Sequence, residues 1–356
     1  MREFERAIRN IKGLDAKSME QARMRQDTLT KPKGSLGRLE ELSIRLAGIM
    51  CTPHPAINNK VIITMAGDHG VVEEGVTLYP QEVTAQMVNN FLRGGAAVNV
   101  LADHVGARVI VVDMGVTGKF EADSSSPAGT ELVIKKVGRG TRNMVLGPAM
   151  SREEAFRSLE AGIEVVDEQV SMGMDILGIG DMGIGNTTAS SAIASVFTGL
   201  EPIEVTGRGT GLDDGKLSHK ISIIDKALKI NKPDPNNAVD VLAKVGGFEI
   251  GGMAGAVIAA AAHRIPVVLD GFISGAAALI AVGIEPEVRN YLIASHQSVE
   301  AGHIHVLNYL KLKPLLDLNM RLGEGTGAAL GISLVQAAAD ILNKMATFGQ
   351  AGVSEA

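Results

Sequence analysis

The chain has 356 residues, 46% of them hydrophobic and 21% charged, with a net charge of −6. This is enough material for one large core with an appendage, or for two domains. The acidic balance, 3% aromatics and absence of any Lys/Arg block exclude a nucleic-acid footprint, and the single cysteine, Cys51, excludes an internal disulfide and fits a reducing cytoplasm.

Met1 to Arg6 is charged and periodic, unlike a signal peptide. Residues 1–50 read as helices. Ser35 is expected to open the third, whose buried stripe is Leu39, Leu42, Leu46 and Ile49. Val61 to Ala66 is a short apolar run, a strand that ends in Gly67-Asp68-His69-Gly70. A helix with Val83, Met87, Phe91 and Leu92 on one face follows, then a strand from Val109 to Val112. Ser124 to Gly140 reads as a hairpin or an excursion. Ser151 and Glu154 form a capping box ahead of a helix striped by Phe156, Leu159, Ile163, Val166 and Val170.

Asp175 to Ile179, Pro266 to Leu269 and Leu292 to Ala294 are further strands, and Thr326 to Met345 is the last helix. The most apolar stretch, Ile265 to Ile284, is broken by Pro266, Asp270, Gly271 and Gly275. It reads as a strand and a helix of the core, so no membrane partner is expected. Short apolar strands alternating with helices predict an α/β protein with a parallel sheet covered on both faces. The helices at the two chain ends are expected to pack together as a smaller domain, residues 1–50 plus 326–356, beside a large α/β nucleotide-binding domain, residues 51–325.

In open α/β sheets a ligand lies beyond the carboxyl ends of the strands. Those ends carry glycine mixed with small polar or acidic residues. The richest, Gly178 to Thr188 (GIGDMGIGNTT), runs from a strand into a helix. Its glycines let backbone N–H groups approach an anion, the helix dipole favours phosphate, and Asn186, Thr187 and Thr188 add donors. The bland alternative is a capped turn. Gly178-x-Gly180-x-x-Gly183 also matches the dinucleotide fingerprint, which makes a nicotinamide-dependent oxidoreductase the rival enzyme class, although no ribose-binding acid follows at the expected distance.

TGRGTG (Thr206–Gly211) leads to Lys216 and Lys220, and Arg208 or a lysine there is suited to pair with phosphate; taken singly, each lysine reads as a solvated surface residue. SHQSVEAGH (Ser295–His303) carries hydroxyls, two histidines and a carboxylate, but His303 and His305 lack the spacing of metal ligands on a helix, so no metal is expected. Asp68 and His69 read equally as turn-holding or binding residues. RLGEGTG (Arg321–Gly327) places Glu324 between glycines ahead of the last helix. It is open to a ligand, with Leu322 and Met320 as an apolar wall that raises its pKa toward that of a useful base; a carboxylate complementing the helix dipole is the alternative.

Together these motifs resemble nicotinate-nucleotide–dimethylbenzimidazole phosphoribosyltransferases, the family that makes the lower-ligand nucleotide of cobalamin. The resemblance covers nearly the whole chain, through KPKGSLGRLE, AGDHGVVEEG, YPQEVTAQM, GIGDMGIGNTT, GRGTG, SHQSVEAGH and RLGEGTGAA in the family's order. It implies a Rossmann-like large domain with a small helical domain from both termini, usually in a dimer. It implies Glu324 as catalytic base. Phosphate and ribose contacts are implied for Asp181, Gly183, Asn186, Thr187, Gly209, Thr210, Lys220 and Ser298, and acceptor contacts for Tyr79, Met87, Met182, Ile184 and Leu322.

The implied partners are nicotinate mononucleotide and an aromatic base, without a cofactor. Cleaving the pyridinium from C1′ neutralises the leaving ring, which therefore needs no protonation and no metal-bound pyrophosphate. The family commonly has Glu where this chain has Asp181, shorter by one methylene. Because some relatives use phenolic acceptors, or pair unlike subunits of which one is catalytic, that departure leaves a phenol acceptor and a heterodimer open beside the homodimer. A non-enzymatic nucleotide-binding scaffold is a third class, against which stands Glu324 in its glycine setting.

Overall fold

Every residue from Val61 to Gly67 is buried. A strand can bury both of its faces only when helices cover both, and the computed structural model, which describes residues 2–120, 130–209 and 211–354, shows that arrangement. The strands are β1 (Lys60–Gly67), β2 (Ala107–Gly115), β3 (Thr130–Ile134), β4 (Ile176–Met182), β5 (Val267–Leu269) and β6 (Leu292–Ala294). All pair in parallel, in the order β3-β2-β1-β4-β5-β6. This is the doubly wound order whose direction reverses between β1 and β4, and a crevice opens at the carboxyl ends of those two strands.

Alternation along the strands sorts the core into two layers. Val61, Ile63, Met65, Leu177 and Ile179 face the helices Arg152–Ser171, Asn186–Thr198, Phe248–Ala262 and Phe272–Ile284. Ile62, Ala66, Ile176 and Val268 face Val83–Leu92, Ala97–Val105 and Thr326–Lys344, with Leu42 and Leu46 of the helix Arg38–Met50 behind them. Helix Arg152–Ser171 crosses Phe248–Ala262 so closely that a Cβ on Gly162 would lie 1.9 Å from the carbonyl oxygen of Gly252. The Ser151–Glu154 capping box forms in both directions.

Two expectations need correction. The third helix begins at Arg38, with Gly37 rather than Ser35 at its start, because left-handed turns at Gly34 (φ 75°) and Gly37 (φ 48°) precede it. The segment read as a hairpin or excursion lies partly outside the described residues. Its described part contains β3, which runs parallel to β2 from Val109↔Thr130 to Asp113↔Ile134, so the two strands form no hairpin and the excursion reading is left.

Helices Ala16–Thr28, Arg38–Met50 and Thr326–Lys344 pack on one another. The Arg25 guanidinium donates to the carbonyls of Leu342 and Asn343 at 2.6 and 3.1 Å. Lys31 and Glu40, both buried, pair at 2.8 Å and tie down the loop of the KPKGSLGRLE motif. These contacts support a small helical unit made from both termini, which we propose as the smaller domain. Its first helix, Arg2–Asn10, packs instead on Arg152–Ser171 and Phe248–Ala262, and Thr326–Lys344 also covers the sheet. Among the described residues no helix is long and apolar enough to cross a membrane.

Candidate active site

The turn after β4 and the turn before helix Thr326–Lys344 open onto one cavity of about 510 Å³. Asp181, Met182, Gly183, Ile184, Asn186 and Thr187 line it from the first turn, and Leu322, Gly323 and Glu324 from the second. Tyr79, Met87, Gly209 and Ser298, also expected from the sequence, line it as well. Lys220 lines a smaller adjoining cavity of about 40 Å³ with Gly183, Gly185, Asn186, Thr187 and Arg208. Thr210 lies outside the described residues.

Lys220 is in the second turn of helix Asp214–Asn231 and is only 1% exposed, unlike the solvated lysine of the single-residue reading. Its Nζ donates to Thr187 Oγ1 at 2.7 Å, in the first turn of helix Asn186–Thr198. Burial pulls its pKa down to about 8, against the opposing charge of Glu300. A Cβ on Gly209 would come within 3.3 Å of both Lys220 Nζ and Thr187 Oγ1, so the TGRGTG loop closes over this pair. Arg321 Nη1 donates to the Gly209 carbonyl at 3.0 Å and holds the loop there. Arg208 is paired with Asp214 and also donates to the Leu212 carbonyl at 2.8 Å.

Glu324 is 5% exposed and has φ +66°, a left-handed conformation that costs a residue with a Cβ of order 1–3 kcal/mol. Burial raises its pKa above the ordinary carboxylate value, offset in part by the Val98 N–H, which donates to Oε2 at 3.3 Å. Helix Ala97–Val105 starts at Ala96, which has no capping side chain, and Glu324 is the acid that meets its positive end.

Asp270, at the end of β5, accepts from the N–H groups of Gly325, Gly327 and Ala328 at 3.0, 2.6 and 3.2 Å. Burial raises its pKa to about 7 even so. Asp181 accepts from Asn186 Nδ2 at 2.8 Å; burial first, then Asp270, Glu249 and Glu324, raise its pKa well above the usual value. Three buried carboxylates crowd this region, and a Cβ on Gly323 would lie 3.3 Å from Asp181 Oδ2.

Sequence reasoning misses Asp270, which holds the Glu324 turn from behind the cavity, and also Phe272 and Ile273, which line the cavity beside His296 of the SHQSVEAGH motif. An acid at the end of β5 followed by Gly271 is the signal that could have found it, since that is where an open sheet presents ligand-binding groups. His303 is committed to the Ser298 N–H at 2.8 Å, and burial drops its pKa to about 3. Asp68 accepts from the N–H and hydroxyl of Thr117, and His69 Nε2 meets buried Glu249 at 2.6 Å. Asp68 ties the β1 turn to the turn after β2, while His69 lies against the glycine loop, where a Cβ on Gly185 would lie 3.2 Å from that of His69.

The apparent dinucleotide fingerprint has another cause. A Cβ on Gly178 would meet Ala328 and Ile332 of the last helix at 3.2 and 3.1 Å, and one on Gly180 would lie 2.3 Å from the backbone of Glu324. These glycines admit the chain that carries Glu324, and not a pyrophosphate.

A phosphoribosyltransferase family model matches residues 11–353. The chain is 58% identical to the nicotinate-nucleotide–dimethylbenzimidazole phosphoribosyltransferase of Roseiflexus sp. (strain RS-1), over 98% of this chain and 97% of that protein. It is also 58% identical to the protein of that name from Desulforudis audaxviator (strain MP104C), over 99% and 98%. The crystal structure of CobT from Thermus thermophilus superposes with a TM-score of 0.90 at 46% identity, covering 96% of this chain and 100% of that one. The chain belongs to the nicotinate-nucleotide–dimethylbenzimidazole phosphoribosyltransferase family.

Proposed function

We propose that the chain transfers the phosphoribosyl group of nicotinate mononucleotide to 5,6-dimethylbenzimidazole, giving nicotinate and the α-ribosyl 5′-phosphate of the cobalamin lower ligand. One observation carries this reading: a buried cation beside a helix start and a buried carboxylate with a raised pKa line adjoining cavities that share the turn from Gly183 to Thr187.

In this reading the 5′-phosphate occupies the end of the crevice at Lys220, Thr187 and the Gly183 turn, where the dipole of helix Asn186–Thr198 adds to the lysine charge. Ser298 and Gly209 flank the ribose. The acceptor ring lies among Tyr79, Met87, Met182, Ile184 and Leu322, an apolar slot with room for a planar bicycle. As the bond from C1′ to the pyridinium loosens, the acceptor nitrogen attacks the opposite face of C1′ and inverts it. Glu324 accepts the proton released from the other ring nitrogen. The departing nicotinate leaves neutral at its ring nitrogen, so this step asks no acid of the protein.

The working form in this reading is a cytoplasmic dimer. Exposed Ile203, Ile304 and Tyr309, on the adjacent helices Pro202–Val205 and Ala301–Leu310, support an interface there.

Incubation with nicotinate mononucleotide and an equimolar mixture of dimethylbenzimidazole, adenine and phenol is expected to give the ribosylated benzimidazole as the main product by mass spectrometry. A phenolic or adenine product would reassign the acceptor, and no product would reject the transfer. The pH profile of kcat/KM for the donor is expected to be a bell. Its acid limb lies above the ordinary carboxylate range, because Glu324 must lose a proton to act. Its alkaline limb falls as pH rises through about 8, where Lys220 in the free enzyme loses the charge that holds phosphate.

A further inference from the structure

Thr64 is a hydroxyl in the middle of β1, fully buried in a layer of Ile62, Ala66 and the last helix. Strand propensity explains a β-branched residue there, but valine would serve as well and would bury no polar atom. Its hydroxyl donates to the carbonyl oxygen of Glu324 at 2.7 Å. In the sheet register Thr64 stands beside Gly180. That glycine leaves the space the Glu324 peptide fills, since a Cβ there would lie 2.3 Å from the carbonyl carbon and oxygen of Glu324 and from Gly325 N. The Glu324 N–H in turn donates to the Asp181 carbonyl at 3.2 Å.

We propose that Thr64 is a positioning residue for the reaction: with Gly180 it forms a seat in the sheet that holds Glu324 in its left-handed backbone conformation and so aims the carboxylate into the crevice. A residue with a Cβ stays in that conformation only when its surroundings over-determine it, and here the seat, the Asp181 carbonyl and the Asp270 carboxylate do so from three sides. Of these only the Thr64 hydroxyl can be deleted without changing charge or adding bulk. Without it the buried carbonyl of Glu324 has lost its donor, and the turn relaxes toward one. A displacement of about 1 Å at a reacting group costs on the order of 100-fold.

This rests on Glu324 being the base, and the experiment separates the two claims. Thr64→Val is expected to lower kcat by about 10- to 100-fold, with KM for nicotinate mononucleotide within about twofold and Thr64→Ser restoring turnover. Thr64→Ala, which brings no extra methyl into the seat, gives the same reading if the valine variant fails to fold. Because Thr64 acts only through Glu324, Thr64→Val/Glu324→Gln is expected to be no slower than Glu324→Gln alone. Wild-type kcat in both Thr64→Val and Thr64→Ala, an additive double variant, or a serine variant as slow as valine would each overturn the role of Thr64 while leaving that of Glu324 intact. Full turnover in Glu324→Gln would remove the base itself.

Discussion

Glu324→Gln is expected to lower kcat by about 10²–10⁴-fold and to leave binding of nicotinate mononucleotide within about twofold, measured by single-turnover kinetics and calorimetry. The size follows from what the substitution keeps. The amide has nearly the same shape, its oxygen still accepts from the Val98 N–H, and the backbone contacts to Thr64 and Asp181 are unaffected. Only the capacity to take a proton is lost. Burial penalises the charged carboxylate, which makes it a better proton acceptor than an exposed glutamate at the same pH. The acid limb of the pH profile should vanish with it. Turnover equal to wild type would place the base elsewhere, and Asp181 would be the next group to test.

Lys220→Met is expected to raise KM for nicotinate mononucleotide by about 10- to 150-fold, equivalent to about 1.5–3 kcal/mol for a hydrogen bond to a charged group. Methionine fills much of the same buried volume, so the helix Asp214–Asn231 has little reason to shift. Lys220 is enclosed by Thr187 and Gly209 and feels the charge of Glu300, whose own pKa is raised by burial. The dephosphorylated nucleoside, nicotinate riboside, should react equally slowly with wild type and variant. A variant that weakened both donors alike would show that Lys220 supports the loop and does not contact the phosphate.

Much of this molecule is legible without coordinates. Short apolar runs, most of them ending in glycine and a polar group, betray strands buried on both faces; the Ser151 and Glu154 spacing gives the capping box, and the stripe on its helix follows the 3.6-residue period. The glycine-flanked Glu324 and the GIGNTT helix start are visible because their local chemistry is unusual for turns. β3 is obscure because it lies at the sheet edge, where half-exposed side chains carry little periodic signal. Asp270 looks like a breaker of an apolar run, and Thr64 like one more β-former.

The order of elements, the parallel sheet and the residues able to bind an anion or take a proton were therefore determined by the sequence itself, since pattern and residue chemistry are local properties. Which of these groups meet was decided only by the tertiary structure. β1 and β4 lie side by side because the winding reverses there, and that pairing brings Thr64 and Gly180, more than a hundred positions apart, under the backbone of Glu324. Burial, and with it the shifted pKa values of Lys220, Asp270 and Glu324, depends on what packs across that junction, and no window along the chain contains it.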